Sequence, residues 1–253
     1  FPYTTLFRSF APVTMAAYGS LMLVANPKTG FKTVSDLIKD AHAKPGAISF
    51  GSPGVGTPHH MAMELFKLES NTFMLHVPYR GSAGYTQDLL GGELGVGFLP
   101  VHIAQGYVKS GRLNALALGS PKRHPVAADV PTFEEAGVKR IDVDLWYAFF
   151  VPSKTPQAVV SRLNTEMAAI LRQADVKEVL SKAGLDATTS SAAELAAIVA
   201  EAEAKARATR AGYRAPPAGS INRPASSTVR ARQQVLPKSQ TRISKSCSAM
   251  NRV

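Results

Sequence analysis

Between Gly19 and Gly119 short apolar runs alternate with segments of helical period, and that alternation leaves few folds open. Strand, helix, strand repeated several times is the pattern of an α/β fold with a largely parallel sheet. "GSLMLVANP" (Gly19 to Pro27) predicts a buried strand. In "TVSDLIKDAHAKPG" the spacing of Thr33 and Asp36 predicts a capping box, with Val34, Leu37, Ile38 and Ala41 on one face and Pro45-Gly46 as the stop. A strand at Ala47 to Phe50 runs through a glycine turn into a helix carrying Met61, Leu65, Phe66 and Leu68. "FMLHVPY" feeds "GSAGYTQDLLGGEL" in the same way, and "LGVGFLP", "VHIAQGYVKSG" and "LNALALG" repeat the unit. Farther on, a strand ending at Val151 precedes a helix with Thr155 as cap and Pro156 at its first position. Val159, Leu163, Met167 and Ile170 are its expected buried stripe, and a second capping box links Ser191 and Glu194.

Two ends differ from this middle. "FPYTTLFRS" (1–9) resembles one translated frame of a sequencing-library adapter and is assigned no structure. The formal charge of +11 sits at the other end: eleven Lys and Arg and no Asp or Glu follow Ala204, so residues 1–204 are balanced. The stretch 205–253 reads as a basic disordered tail because it has no apolar period and no acids, and a frameshifted or misassembled end is preferred to a native basic arm. A nucleic-acid arm is disfavoured by its single aromatic, Tyr213. The lone Cys247 excludes an intrachain disulfide and a cysteine metal cluster. No apolar run is long enough for a spanning helix or a secretory leader, so the chain as written reads as soluble and without an address.

The spacing within "GSPGVGTPHH" excludes two phosphate-binding chemistries. A Walker loop needs Lys and Ser or Thr after Gly56, where Thr57-Pro58 stand, and a dinucleotide fingerprint needs glycine where His59 stands. His59 and His60, adjacent on a helix, diverge by about a hundred degrees and cannot share a metal unaided. His60 reads as an ordinary first-turn residue, solvent-facing or capping. What remains is a helix start with Thr57 as cap and Pro58 where a missing N–H costs nothing, fitting either a carboxylate cradle or a plain turn. A second turn, "VPYRGSAGYTQDLL", has the same construction, and helices that follow parallel strands begin at one sheet edge. Arg80 beside it serves as counter-charge or as a solvated surface residue. There is no GxSxG, no HExxH and no defensible acid pair, so a binding protein is expected rather than an enzyme, with no cofactor and no metal.

"FAPVT", "LMLVANP", "SFGSPGVGTPHHMAMELF", "HVPYRGSAGYTQDLLGGEL", "DVPTFEEAG" and "DLWYAFFVPSKTP", in this order, resemble the tripartite tricarboxylate transporter substrate-binding proteins, the Bug family, from Phe10 to Ala204. The resemblance implies a two-lobed periplasmic-binding-protein fold of the type II flytrap kind. It implies a periplasmic receptor that captures a small carboxylate and hands it to membrane permease subunits, with a monomer and no nucleic-acid partner expected. Lobe I would comprise 10–24 and 150–204, lacking its first strand and glycine-rich loop, and lobe II would comprise 25–149. Ser52, Gly54, Gly56, Thr57 and His59 match one ligand loop of the family. Tyr79, Gly81 and Ser82 match the next, and Trp146 and Tyr147 match an aromatic pair near the hinge, or else are core. Gly95, Gly97 and Leu99 depart from the family by leaving no polar group, which favours a ligand with an apolar far end. Without the first loop, weak binding is expected. The alternative is the small-acid-sensing effector domain of a transcription regulator.

Overall fold

The computed structural model describes residues 9–141 and 143–212. The stretch 1–8 and the tail from Tyr213, with Cys247, lie outside the described residues.

Seven strands and seven α-helices are described, with two short 3-10 turns at Pro27–Thr29 and Pro125–Ala127. The strands are β1 (Phe10–Ala25), β2 (Ser49–Ser52), β3 (Leu75–Pro78), β4 (Val96–Pro100), β5 (Asn114–Leu118), β6 (Asp144–Pro152) and β7 (Leu185–Ala187). The helices are α1 (Val34–Ala43), α2 (Pro58–Glu69), α3 (Ser82–Gly91), α4 (Val101–Lys109), α5 (Gln157–Leu171), α6 (Ala174–Lys182) and α7 (Ala192–Gly212). None is long and apolar enough to cross a membrane among the described residues.

The sheet order is β3-β2-β4-β1-β5, with β6 and β7 pairing β1. β2 runs parallel to β3 and to β4. β1 runs antiparallel to β4 and β5, so β2, β3, β4 and β5 share one direction and β1 is inserted against them. The expected parallel sheet is therefore mixed. Alternation of strand and helix does not reveal a strand placed between two others in reverse.

β1 is also longer than the apolar run that marked it. Phe10–Ser20 pairs β6, and Leu21–Ala25 pairs β4 and β5, so the strand changes partners at Ser20/Leu21. Within the second half side chains alternate between two cores. Leu21, Leu23 and Ala25 join Leu37, Phe50, Met63 and Phe66 beneath α1 and α2. Met22 and Val24 join Tyr85, Leu89, Leu99 and Ala104 beneath α3 and α4. A strand covered on both faces is apolar at every position, which is why this run reads as continuous.

Local cap chemistry is realised at α1, where Thr33 and Asp36 form the expected box, and at α7, where Ser191 and Glu194 form another. At α5 the start is displaced: Pro156 takes the cap position and Thr155 makes no side-chain cap. The expected stripe of α5 is rotated as well. Val160, Ala168 and Leu171 are buried, while Val159 and Ile170 are about half exposed at 46% and 51%. Asn164 fixes this rotation by donating to Val13 O at 2.6 Å and to Ser190 O at 2.8 Å, so its side of the helix faces β1. α7 continues to Gly212, past the composition change at Ala204.

Candidate ligand-binding site

The two glycine turns follow β2 and β3, adjacent parallel strands, and so leave the sheet at one edge. They are stitched together by main-chain bonds, Tyr79 N–H to Ser52 O at 2.9 Å and Gly81 N–H to Pro53 O at 2.8 Å. Ser52, Gly54, Gly56, Thr57, His59, Tyr79, Gly81 and Ser82 are thus neighbours, as expected.

Their chemistry differs. In the first turn Thr57 caps α2, its Oγ1 accepting from His60 N–H at 3.4 Å and donating to Gly54 O at 2.7 Å. Ser52 is fully buried. Its Oγ lies 2.7 Å from His76 Nε2 and accepts from Gly54 N–H at 3.3 Å. Gly56, at φ +84°, donates to Nδ1 of His60 at 3.0 Å. The N–H groups of Gly54 and Gly56, which a cradle would aim outward, are consumed inward.

Of the two roles expected for His60, solvent-facing or capping, the ring takes the second, accepting from Gly56 N–H just before the helix. Its ring stacks on His76 at 4.1 Å, and His76 stacks on Phe50 at 4.8 Å. Burial pushes His60 down to about 4 and His76 down to about 3, with the nearby Lys67 charge adding to both. Both imidazoles are neutral at physiological pH. The Lys67 ammonium lies 2.8 Å from the Glu64 carboxylate, and both side chains are buried. Sequence reading missed this layer. The one available signal was the recurrence of His in both "PHHM" and "LHVP", at the ends of adjacent strand-helix units.

His59, at the preceding position of α2, is pushed down to about 4 by burial. Its Nδ1 is buried with no hydrogen-bond partner among the described residues, and its ring lies edge-on to Tyr85 at 6.3 Å.

The second turn is open. Gly81 stands at φ +105°, ψ 176°, a conformation that glycine alone adopts readily, and no side chain caps α3. Ser82, Ala83 and Gly84 are exposed, so the first N–H groups of α3 face outward with the positive end of the helix dipole. Exposed Arg80 precedes them. The Tyr79 hydroxyl is not aimed at this opening; it donates to Asp88 at 2.7 Å.

Gly97 and Leu99 do not face a ligand tail. β4 is buried throughout, and Leu99 belongs to the core. A Cβ on Gly97 would collide with the Tyr85 hydroxyl, which donates to Phe98 O at 2.6 Å. The glycine makes room for that ring.

Trp146 and Tyr147 sit on β6, opposite Tyr18 and Ala17 of β1. Tyr147 reaches the edge where β4 ends, its ring 6.2 Å from that of His102 in the first turn of α4. It also lines an apolar cavity of about 420 Å³ with Phe149, Leu171, Val176 and Leu185. Trp146 is partly buried. Among the described contacts neither aromatic touches the two turns.

This α/β fold is that of the Bug and TctC periplasmic binding proteins. It superposes on R. palustris Rpa4515, solved with adipate, with a TM-score of 0.77 at 27% identity, covering 81% of this chain and 68% of the other. It superposes on the periplasmic binding protein BugD with a TM-score of 0.75 at 23% identity, covering 80% and 69%. The model of the tripartite tricarboxylate transporter family receptors matches residues 1–210, and the chain belongs to that family. Among curated relatives, a UPF0065 protein from the tcbD-tcbE intergenic region of Pseudomonas sp. (strain P51) is 37% identical over 70% of this chain and 53% of its own length. Protein BugT of Bordetella pertussis is 31% identical over 72% and 56%. The chain thus spans about half the length of the curated relatives it matches.

Proposed function

We propose that this protein is a periplasmic solute receptor that captures a small carboxylate and delivers it to the membrane permease of a tripartite transporter. The observation that carries this reading is the open N-terminus of α3, stitched to the first turn and flanked by Arg80. Uncapped N–H groups and a helix dipole suit a carboxylate. Family membership and the adipate in the R. palustris relative support the same chemistry. Tyr147 and Trp146, which touch neither turn, enter this proposal only as residues of the opposite lobe, the one built on β6 and the first half of β1.

Micromolar binding requires about 8 kcal/mol, and three charge-assisted hydrogen bonds supply roughly 5–9 kcal/mol before ordering costs. The expected affinity of these turns alone is therefore weaker than micromolar. An NMR titration with adipate at neutral pH should shift the amides of Ser82, Ala83 and Gly84 saturably, while adipamide leaves them in place. Equal shifts with both, or none with either, would remove the carboxylate reading.

A further inference from the structure

Beneath the first turn lies a layer of side chains that the carboxylate reading does not use. Its geometry is specific about protons. Gly56 N–H donates to His60 Nδ1 at 3.0 Å, so that nitrogen carries a lone pair and the ring proton sits on Nε2. Nε2 stands 3.7 Å from Glu64 Oε1, whose carboxylate is already engaged by Lys67 at 2.8 and 2.9 Å. On the other side of the stack, His76 Nε2 meets Ser52 Oγ at 2.7 Å, and Ser52 Oγ in turn holds Gly54 through both N–H and O. The two imidazoles therefore grip the turn at both ends, one through Gly56 and one through Ser52.

We propose that His60 and His76 are positioning residues for the glycine turns, and that a proton delivered to His60 Nδ1 releases them. Protonation there sets two donors against each other, the ring N–H and the Gly56 N–H, and the turn has to leave. The second turn follows, because Tyr79 N–H and Gly81 N–H hang on the carbonyls of Ser52 and Pro53. Among the described residues, the charged or titratable groups that meet His60 are Glu64 and Lys67 on its own helix and His76 on β3; Phe50 on β2 adds none, and α7, which also packs against α2, carries Glu201 and Glu203. Burial and the Lys67 ammonium oppose the proton, so the latch holds at neutral pH and yields in acid. As regulation of the same site, this rests on the carboxylate reading, yet the latch itself is measurable without ligand.

The test is amide hydrogen exchange at Gly54, Gly56 and Gly81, expressed as protection factors so that intrinsic pH dependence cancels, with adipate binding followed separately at neutral pH. His60→Leu removes the acceptor, and His60→Asn keeps an acceptor near the Nδ1 position but cannot titrate. His60→Leu should lower Gly56 protection by at least about tenfold, with Gly81 following and adipate binding weakened, and His60→Asn should restore all three. In the unaltered protein Gly56 protection should hold above about pH 6.5 and fall progressively toward about 4, a fall that His60→Asn makes smaller. Unchanged Gly56 protection in His60→Leu, or the same acid fall in His60→Asn, overturns the proposal. Should His60→Leu fail to fold, the acid profiles of the unaltered protein and His60→Asn decide alone. If adipate binds to neither protein while Gly56 behaves as described, the carboxylate reading falls and the latch stands.

Discussion

The turns before α2 and α3 are built from the same parts, glycines after a strand and before a helix start, yet the first is saturated and the second is open. In the first, Ser52, Thr57 and His60 consume the polar groups of the turn. In the second, Gly81 leaves the helix start uncapped and Ser82 stands exposed. The difference teaches that a glycine turn at a helix start is a binding element only if its donors are not already spent. Here the first turn acts as the mount and the second as the contact.

That division can be broken most forcefully with acid. His59 and His60 titrate near 4 and His76 near 3 in the folded protein, against about 6.5 when unfolded. Below 6.5 the unfolded chain binds more protons, so stability is constant above that pH and is lost progressively as pH falls toward 4. Partial solvent access to the rings limits the loss to the order of a few kcal/mol. Thermal melts between pH 7.5 and 4.5 should show it, and a flat profile would mean that the layer beneath the first turn is not buried in solution.

Gly51→Ala comes next. The added Cβ would strike Leu94 and the Tyr85 ring, which have no space to yield, and overpacking of this kind costs about 1–3 kcal/mol. Denaturant unfolding should register it, with a loss below about 0.5 kcal/mol arguing that the mount is plastic. The smallest effect is the sharpest comparison. Thr57→Ala should cost about 1 kcal/mol as a lost cap, whereas Ser82→Ala should stay within about 0.5 kcal/mol. Equal costs would erase the distinction between the turns.

Much of the framework could be read from neighbouring letters. The Thr33–Asp36 box, the Thr57 cap with Pro58 and the Ser191–Glu194 box are governed by residues three apart, and each stands as read. What could not be read depends on distant partners. The face of α5 is set by Asn164 reaching back to Val13, and the direction of β1 by strands that come much later in the chain. The adjacency of the two turns was legible because adjacent parallel strands end together. Which donors remained free was hidden, since His60 and His76 meet only after β3 has paired with β2. Gly97 was read as an absence of polarity, when a tyrosine from α3 occupies the space beside it.

β1 serves both halves of the sheet in a single unbroken run from Phe10 to Ala25. Its pairing is interrupted by register shifts, at Pro12/Thr14 and Met15/Ala17 against β6 and at Leu23/Val24 against β5. A bulge takes up an extra residue and bends the strand, so the register against β6 and the register against β4 and β5 are set separately. What the halves share is the backbone itself, which joins the β6 pairing to the two-sided core at Ser20/Leu21 with no loop between them. The strand is a splice between two separately registered sheets.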